Sequence, residues 1–237
     1  MTSARPNDSA REPMPVLEPH HFVTEPMESE HHLVAMILLY QLVSGLTRGR
    51  DAFVGADLVV YFSALQAKNK DFRAPDLFVV TDVSPHERQG WIVWQEGDRY
   101  PDLVVEHMSP STRSTDLGEK LRVYDRVWRV KEYYAFDLAT GELHAFGRGP
   151  NGLERRTPDE HGHYPSTVLE ASFGVAREGY DRVRRPVLRL YDARGAALPT
   201  SDELARSEAQ RAQAEAQRAD ALEAELRALK AKMTKPG

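Results

Sequence analysis

Three side chains that could handle a metal ion and a phosphate group stand near the ends of predicted secondary-structure elements. Asp76 precedes the apolar segment 77–80, Glu106 follows the apolar run 103–105, and Lys120 lies in a predicted helix. If the two strands are neighbours, the two carboxylates can converge on one Mg²⁺ or Mn²⁺ ion. A nearby ammonium can then orient water and offset developing phosphoryl charge. These residues are typical of metal-dependent phosphodiester hydrolysis.

Each of these residues also has an ordinary structural interpretation. Asp76 belongs to a Pro-Asp pair, which commonly opens a turn and which recurs at Asp102. A carboxylate at the end of an apolar strand must be solvated, paired or bound to a cation. Glu106 is therefore a surface residue, an ion-pair partner of Lys120 or an arginine, or a metal ligand. Lys120 alone is typical of a solvated helix face. The residue pattern leaves these alternatives open.

The hydrophobic pattern predicts the elements that position these residues. Segment 30–46 is apolar almost all round, which predicts a buried helix ending near Gly45. A helix is also predicted at 117–128, with Thr115 or Asp116 as its cap. Strands are predicted at 51–63 (with a bend or bulge), 74–83, 90–98, 100–108, as a pair within 132–148, and at 185–192. This order predicts an α/β fold in which a mixed β-sheet is flanked by helices.

Composition divides the chain into three parts. Residues 1–24 are polar and predict a disordered tail, and residues 25–197 predict the folded domain. Residues 198–237 are rich in helix-forming side chains and predict a helix. Its heptad positions are consistent with a coiled coil, and a solvated single helix is the other interpretation. The heptad residues are Ala205, Ala212, Ala219, Leu226 and Met233, with Leu222 and Leu229 on the companion seam.

Composition also excludes several classes of site. The chain has no cysteine, which excludes disulfides, thiolate catalysis and cysteine-ligated zinc. The longest apolar run, 33–43, is too short to span a bilayer, and no secretory signal is evident. We therefore expect no membrane partner and a cytoplasmic location. A net charge of −5 does not favour a dedicated nucleic-acid coat protein, although a local basic surface is compatible with it.

One block of sequence resembles a known family. The block PDLVVEHMSPSTRSTDLGEKLRVY, preceded by RAPDLFVV and followed by EYYAFD, is similar to the Uma-two family of restriction-endonuclease-like proteins in the PD-(D/E)xK nuclease superfamily. The resemblance spans about residues 25–175 and implies a restriction-endonuclease-like core. It implies that Asp76 and Glu106 hold the metal. It also implies that Lys120 is the catalytic lysine, displaced to the helix, since Met108 occupies the usual strand position.

The resemblance extends to further residues. The family pattern matches Glu30-His31 at the start of the first helix, and His107 stands where a small apolar residue is common. Its backbone carbonyl could assist the metal ligands. Auxiliary roles are expected for Glu30, His31, Asp102 and Tyr124, and contacts with nucleic-acid phosphates for Arg113, Arg122 and Arg126.

Two hypotheses from different functional classes follow. The first is a Mg²⁺- or Mn²⁺-dependent endonuclease that hydrolyses phosphodiester bonds, with DNA as the expected substrate. The second is a catalytically inactive module with the nuclease fold, which binds or assembles partners and oligomerises through the C-terminal coil.

Overall fold

The computed structural model describes residues 29–63 and 73–233, and the predicted tail 1–24 lies outside them. The chain divides into two compact units, one ending at Ala197 and the other beginning at Leu198. The elements in chain order are α1 (Glu30–Thr47), β1 (Ala52–Ala56), β2 (Val60–Tyr61), β3 (Leu77–Thr81), β4 (Trp91–Ile92), β5 (Leu103–Met108), α2 (residues 113–128), β6 (Glu132–Asp137), β7 (Leu143–Gly149), β8 (Gly152–Arg155), β9 (Tyr164–Ser166), β10 (Ala171–Ala176), β11 (Val187–Tyr191) and α3 (Ser201–Met233).

A six-stranded mixed sheet forms the centre of the first unit. Its strand order is β1-β3-β5-β6-β7-β8. Strands β5 and β6 run parallel and are joined by α2, whereas the other neighbours are antiparallel. Strands β9, β10 and β11 form a separate antiparallel sheet, and β2 pairs with β4 in parallel.

The central strands are buried on both faces. All six residues of β5 and all six of β6 are buried, which explains why both strands are mostly apolar. Alternation sends Val104, Glu106 and Met108 to one face and Val105 and His107 to the other. On the first face the core includes Phe53, Phe78, Trp91, Val104, Met108, Tyr124, Trp128 and Tyr133.

Helix α1 packs against β1, β3 and β11. It begins after Ser29, whose hydroxyl accepts a hydrogen bond from the backbone N–H of His32 at 3.1 Å. Leu33, Ile37 and Tyr40 remain more than 40% exposed, so part of this apolar helix faces away from the core.

Helix α2 contains two wide turns. It consists of Arg113–Thr115, the π-turn Asp116–Lys120, Leu121–Val123 and the π-turn Tyr124–Trp128. A π-turn holds more residues than the 3.6 of an α-turn, so positions four apart are brought nearly into line. Asp116, Lys120, Tyr124 and Trp128 therefore form one inward stripe, and three of the four are buried.

Several predicted elements differ in detail. The strand predicted at 51–63 is two strands separated by Asp57, which has a φ of 48°. The segment 90–98 holds the two residues of β4 followed by a 3-10 turn, Val93–Gln95. Strands β8, β9 and β10 are not among the predicted elements. The predicted mixed α/β architecture with a C-terminal helix is confirmed.

The second unit contains the single helix α3. Thr200 and Glu203 cap the start of α3 with two reciprocal hydrogen bonds. The Glu203 backbone N–H donates to Thr200 Oγ1 at 3.1 Å, and the Thr200 backbone N–H donates to Glu203 Oε2 at 2.8 Å. Leu204, Leu222 and Leu226 are at least half exposed. The coiled coil stays a prediction. Within the described part of the chain, no helix combines the length and apolar character needed to cross a membrane.

Candidate active site

Glu106 is buried on the face of the sheet that packs against α2, where two side chains contact its carboxylate. Its side chain is only 3% exposed. Lys120 Nζ lies 3.1 Å from Glu106 Oε2, and the Tyr124 hydroxyl donates to Glu106 Oε1 at 2.5 Å. The structure therefore brings three of the predicted site residues together at one point, with Lys120 and Tyr124 supplied by the inward stripe of α2.

A second carboxylate shares the ammonium of Lys120. Lys120 Nζ lies 2.8 Å from Asp116 Oδ1, one turn earlier in α2, and the Asp116 side chain is 1% exposed. Burial alone would lower the pKa of Lys120. The carboxylates of Glu106 and Asp116 outweigh burial and raise that pKa above its ordinary value. Lys120 is thus held as an ammonium between two acids.

The pKa of Glu106 is shifted in the direction that favours a proton. Burial raises this pKa to about 7, and the nearby carboxylates of Asp76 and Asp116 act in the same direction. The ammonium of Lys120 and the hydroxyl of Tyr124 lower it without cancelling the effect of burial. An additional cation at this point would favour the ionised carboxylate.

Asp76 immediately precedes β3, where the strand register places it opposite Glu106. Leu77 pairs with Val105, so continuing the register by one residue reaches that pair. The Asp76 carboxylate accepts the backbone N–H of His107 at 2.5 Å and lies 3.1 Å from His32 Nε2. Burial alone would raise the pKa of Asp76, but the hydrogen bonds and charges of His107 and His32 bring it below its usual range. Asp76 is therefore an ionised carboxylate.

The residues present suit a divalent cation. Asp76, Glu106 and Asp116 are three poorly exposed carboxylates, and the single ammonium of Lys120 serves two of them. Carboxylate oxygens are the ligands that Mg²⁺ prefers, and a divalent charge would offset the excess of negative charge. Asp76 and Glu106 are the candidate ligands, as the sequence predicted, and their metal-binding role stays a prediction.

Three predicted auxiliary residues have other contacts. Glu30 Oε1 lies 2.8 Å from Arg182 Nη2, and His31 Nε2 lies 2.9 Å from the carbonyl oxygen of Pro186. Asp102 stands at the opposite end of β5 from Glu106, roughly 13 Å along the strand. Its carboxylate accepts the hydroxyl of Thr81 at 2.7 Å and lies 3.0 Å from Lys131 Nζ. The structure does not bring these three residues to Glu106.

The predicted phosphate-contacting arginines lie along α2 or at its start. Arg113 pairs with Asp137 and with Glu142, the latter at 2.9 Å. Arg126 is mostly exposed and lies 3.0 Å from Asp125, and Arg122 is exposed. Arg122 and Arg126 are thus accessible from solvent, whereas Arg113 is held by two acids.

Sequence reasoning missed three side chains at the site: those of His32, His107 and Asp116. His31 is the histidine that the sequence predicts at the site, whereas His32 is the one whose side chain contacts Asp76. Asp116 was assigned only as a cap, although its four-residue spacing from Lys120 predicts an ion pair on one helix face. For His107 only the backbone carbonyl was considered. Nothing in the sequence distinguishes a histidine that is only buried in a strand from one that belongs to a functional site.

Comparison with known proteins gives matches with a protein family, with another sequence and with a solved structure. The sequence model of the family Uma2, described as "Putative restriction endonuclease", matches residues 20–176. An uncharacterized protein of Synechocystis sp., slr1290, is 26% identical over 125 residues, which cover 52% of this chain and 60% of that protein. A crystal structure from Anabaena variabilis, described as a putative nuclease belonging to DUF820, is similar at a TM-score of 0.45. It has 16% sequence identity, with 62% of this chain and 78% of that chain covered.

Proposed function

Since the chain belongs to the Uma2 family of restriction-endonuclease-like proteins, we propose that it is a metal-dependent nuclease that hydrolyses phosphodiester bonds. The proposed cofactor is Mg²⁺ or Mn²⁺, and the proposed substrate is DNA. The observation that carries the proposal is the ammonium of Lys120, held 3.1 Å from Glu106 and 2.8 Å from Asp116, with Asp76 opposite Glu106 in the strand register.

Each residue has a distinct role in this proposal. Asp76 and Glu106 would hold the ion, which when bound would polarise a phosphoryl oxygen and make bound water more acidic. Lys120 would orient the attacking water or a non-bridging phosphate oxygen and offset developing negative charge. Tyr124 would act as a positioning residue, because its hydroxyl fixes the orientation of the Glu106 carboxylate.

The substrate part of the proposal is supported by the exposed basic residues of α2. Arg122 and Arg126 are exposed on the same helix that carries Lys120 inward, and Arg129 is exposed directly after its end. Arginines at such positions contact phosphates without reading base sequence, and their contribution decreases as salt increases. A polyanionic backbone is therefore the proposed ligand of this surface.

The test compares two site variants with two matched controls in the full-length chain. Glu106→Gln and Lys120→Met remove the proposed ligand and the proposed cation. Glu119→Gln and Lys131→Met make the same changes at side chains that are 56% exposed. Cleavage of supercoiled plasmid DNA with Mg²⁺, with Mn²⁺ and with EDTA is followed on gels. We expect the two site variants to lose about 10²–10³-fold in rate, the size of effect seen when one charge-stabilising group is removed.

Three outcomes would contradict parts of the proposal. Full activity of Glu106→Gln would remove Glu106 from the site. Undiminished cleavage in EDTA would contradict the requirement for a metal. Cleavage of a labelled RNA in preference to DNA would contradict the substrate assignment.

A second candidate function is supported by the exposed apolar residues of α3. Leu222 is 62% exposed and Leu226 is 54% exposed, one turn apart on the same helix. Self-association through a second copy of α3 would cover both side chains. A chain truncated after Thr200 separates the two hypotheses. Its mass in solution is measured by light scattering and compared with that of the full-length chain. A lower mass with retained cleavage indicates that α3 only assembles a nuclease, whereas a lower mass with no cleavage by either form supports the assembly module.

A further inference from the structure

A cluster of nitrogen and oxygen donors lies on the opposite side of Asp76 from the lysine. Candidate ligand atoms of His32, Asp76 and His107 all lie within 4.8 Å of one another. His32 Nε2 is 3.1 Å from Asp76 Oδ1, and His107 Nδ1 is 3.5 Å from Asp76 Oδ2. Each carboxylate oxygen therefore faces one imidazole.

These spacings match those of ligands around one ion. Two donors that each lie about 2.1 Å from a tetrahedral metal are about 3.4 Å apart. The two separations, 3.1 and 3.5 Å, each involve a different oxygen of Asp76 and fall on either side of that value. The imidazole rings of His32 and His107 are 5.7 Å apart and inclined at 61°, so both can direct a nitrogen toward the carboxylate.

The environment of His107 gives an independent indication of a ligand. Its side chain is fully buried, Nδ1 lies 3.5 Å from Asp76 Oδ2, and neither ring nitrogen makes a hydrogen bond of good geometry with any residue that the structure describes. A buried imidazole nitrogen without a well-formed hydrogen bond is unfavourable. Coordination of a cation by the ring nitrogen that faces Asp76 would satisfy it.

The position of His107 in β5 keeps this cluster apart from the lysine. His107 and Glu106 are consecutive strand residues, so their side chains leave opposite faces of the sheet. Glu106 meets Lys120 and Tyr124 of α2, whereas His107 meets His32 of α1. Asp76 is the residue common to both groups.

We propose that His32, Asp76 and His107 form a site for a divalent transition-metal ion of the Zn²⁺ type. Two imidazole nitrogens and one carboxylate oxygen suit Zn²⁺, Co²⁺ or Fe²⁺, whereas the all-oxygen set around Glu106 suits Mg²⁺. Three protein ligands leave coordination positions for water or a phosphate oxygen. This site goes beyond the proposed nuclease function, because metal binding here does not require cleavage.

Calorimetry with Zn²⁺ on the chelator-treated full-length chain tests the site. We expect one Zn²⁺ per chain, and a loss of at least about tenfold in affinity in His107→Gln and in His32→Gln. His86→Gln is the matched control for surface binding, because His86 is exposed. With Co²⁺, the visible absorption of nitrogen-coordinated cobalt should appear in the wild type and disappear in His107→Gln.

Two separate histidine variants are used so that the test remains informative if one of them misfolds. His32 is at the start of α1 and its substitution removes one ligand without opening the sheet, which a circular-dichroism melt verifies. Wild-type affinity in both variants, or no Zn²⁺ binding by the wild type, overturns the proposal. Glu106→Gln should retain Zn²⁺ binding while losing cleavage. Failure of the nuclease proposal is thereby distinguished from failure of the histidine site.

Discussion

Replacing Glu106 with Gln should change how the stability of the protein depends on pH. In the folded chain without a metal ion, burial raises the pKa of Glu106 from its ordinary 4.5 to about 7. Between these values the folded protein keeps a proton that the unfolded chain releases. The contribution of Glu106 to the free energy of unfolding is therefore fully present below pH 4.5, and it is lost as the pH rises through about 7.

The magnitude follows from the size of that shift. Raising the pKa from 4.5 to about 7 corresponds to about 3 kcal/mol of unfolding free energy lost between pH 4.5 and pH 8. A glutamine side chain has nearly the same shape and does not ionise. Glu106→Gln should therefore match the wild type near pH 4 and exceed its stability by about 3 kcal/mol at pH 8.

Urea unfolding in EDTA, followed by the fluorescence of the three tryptophans, measures this difference. Other groups titrate in the same range, among them His31, whose pKa is lowered by burial. The informative quantity is thus the difference between wild type and variant at each pH. Glu119→Gln, at an exposed position, should give no such difference.

Parallel curves for wild type and Glu106→Gln from pH 5 to pH 8 would refute the reasoning, because Glu106 would then titrate alike in the folded and unfolded chain. Adding Mg²⁺ at pH 8 provides the complementary measurement. It should raise the stability of the wild type and leave that of Glu106→Gln unchanged, since ligand binding to the folded state stabilises it.

Two further predictions concern packing and hydrogen bonding. Tyr124→Phe removes the hydroxyl that donates to Glu106 and should cost about 1–3 kcal/mol in urea unfolding at pH 8; an unchanged midpoint would contradict that hydrogen bond. Gly55→Ala should cost about 1–3 kcal/mol, because a Cβ atom at Gly55 would lie 2.4 Å from the Phe78 ring. Gly45→Ala, within α1 and with nothing within 4 Å, is its control and should stabilise the protein by about 0.5–1 kcal/mol; equal effects at both glycines would contradict the packing argument.

The main elements of the fold were predictable because their sequence patterns are local. The buried strands β3 and β5 each contain a continuous apolar run, 77–80 and 103–105, and α1 has both an apolar segment and a capping serine. A bend or bulge within 51–63 was predicted, but its place at Asp57 was not, because an aspartate with positive φ is set by its surroundings. Strands β8 and β9 have mixed polarity, and most of their residues are half-buried or exposed.

The contact among Glu106, Lys120 and Tyr124 was predicted in part from the chain, since one strand and the helix after it supply all three. The sequence did not predict whether His31 or His32 faces Asp76. Neighbouring residues on a helix differ in direction by about 100°, and packing determines which of them faces Asp76. The side chain of His107 was missed for a similar reason. Its contact with His32 joins two elements that are distant in the chain.

The two π-turns of α2 make the length of this helix as important as its composition. Asp116 and Lys120 stand at the ends of the first wide turn, and Tyr124 and Trp128 at the ends of the second. Deleting one residue between Lys120 and Tyr124 would rotate the later residues by about 100° relative to the earlier ones. The hydroxyl that orients Glu106 would then leave the stripe that carries the ammonium. This segment should therefore accept many substitutions on its outer face but no insertion or deletion.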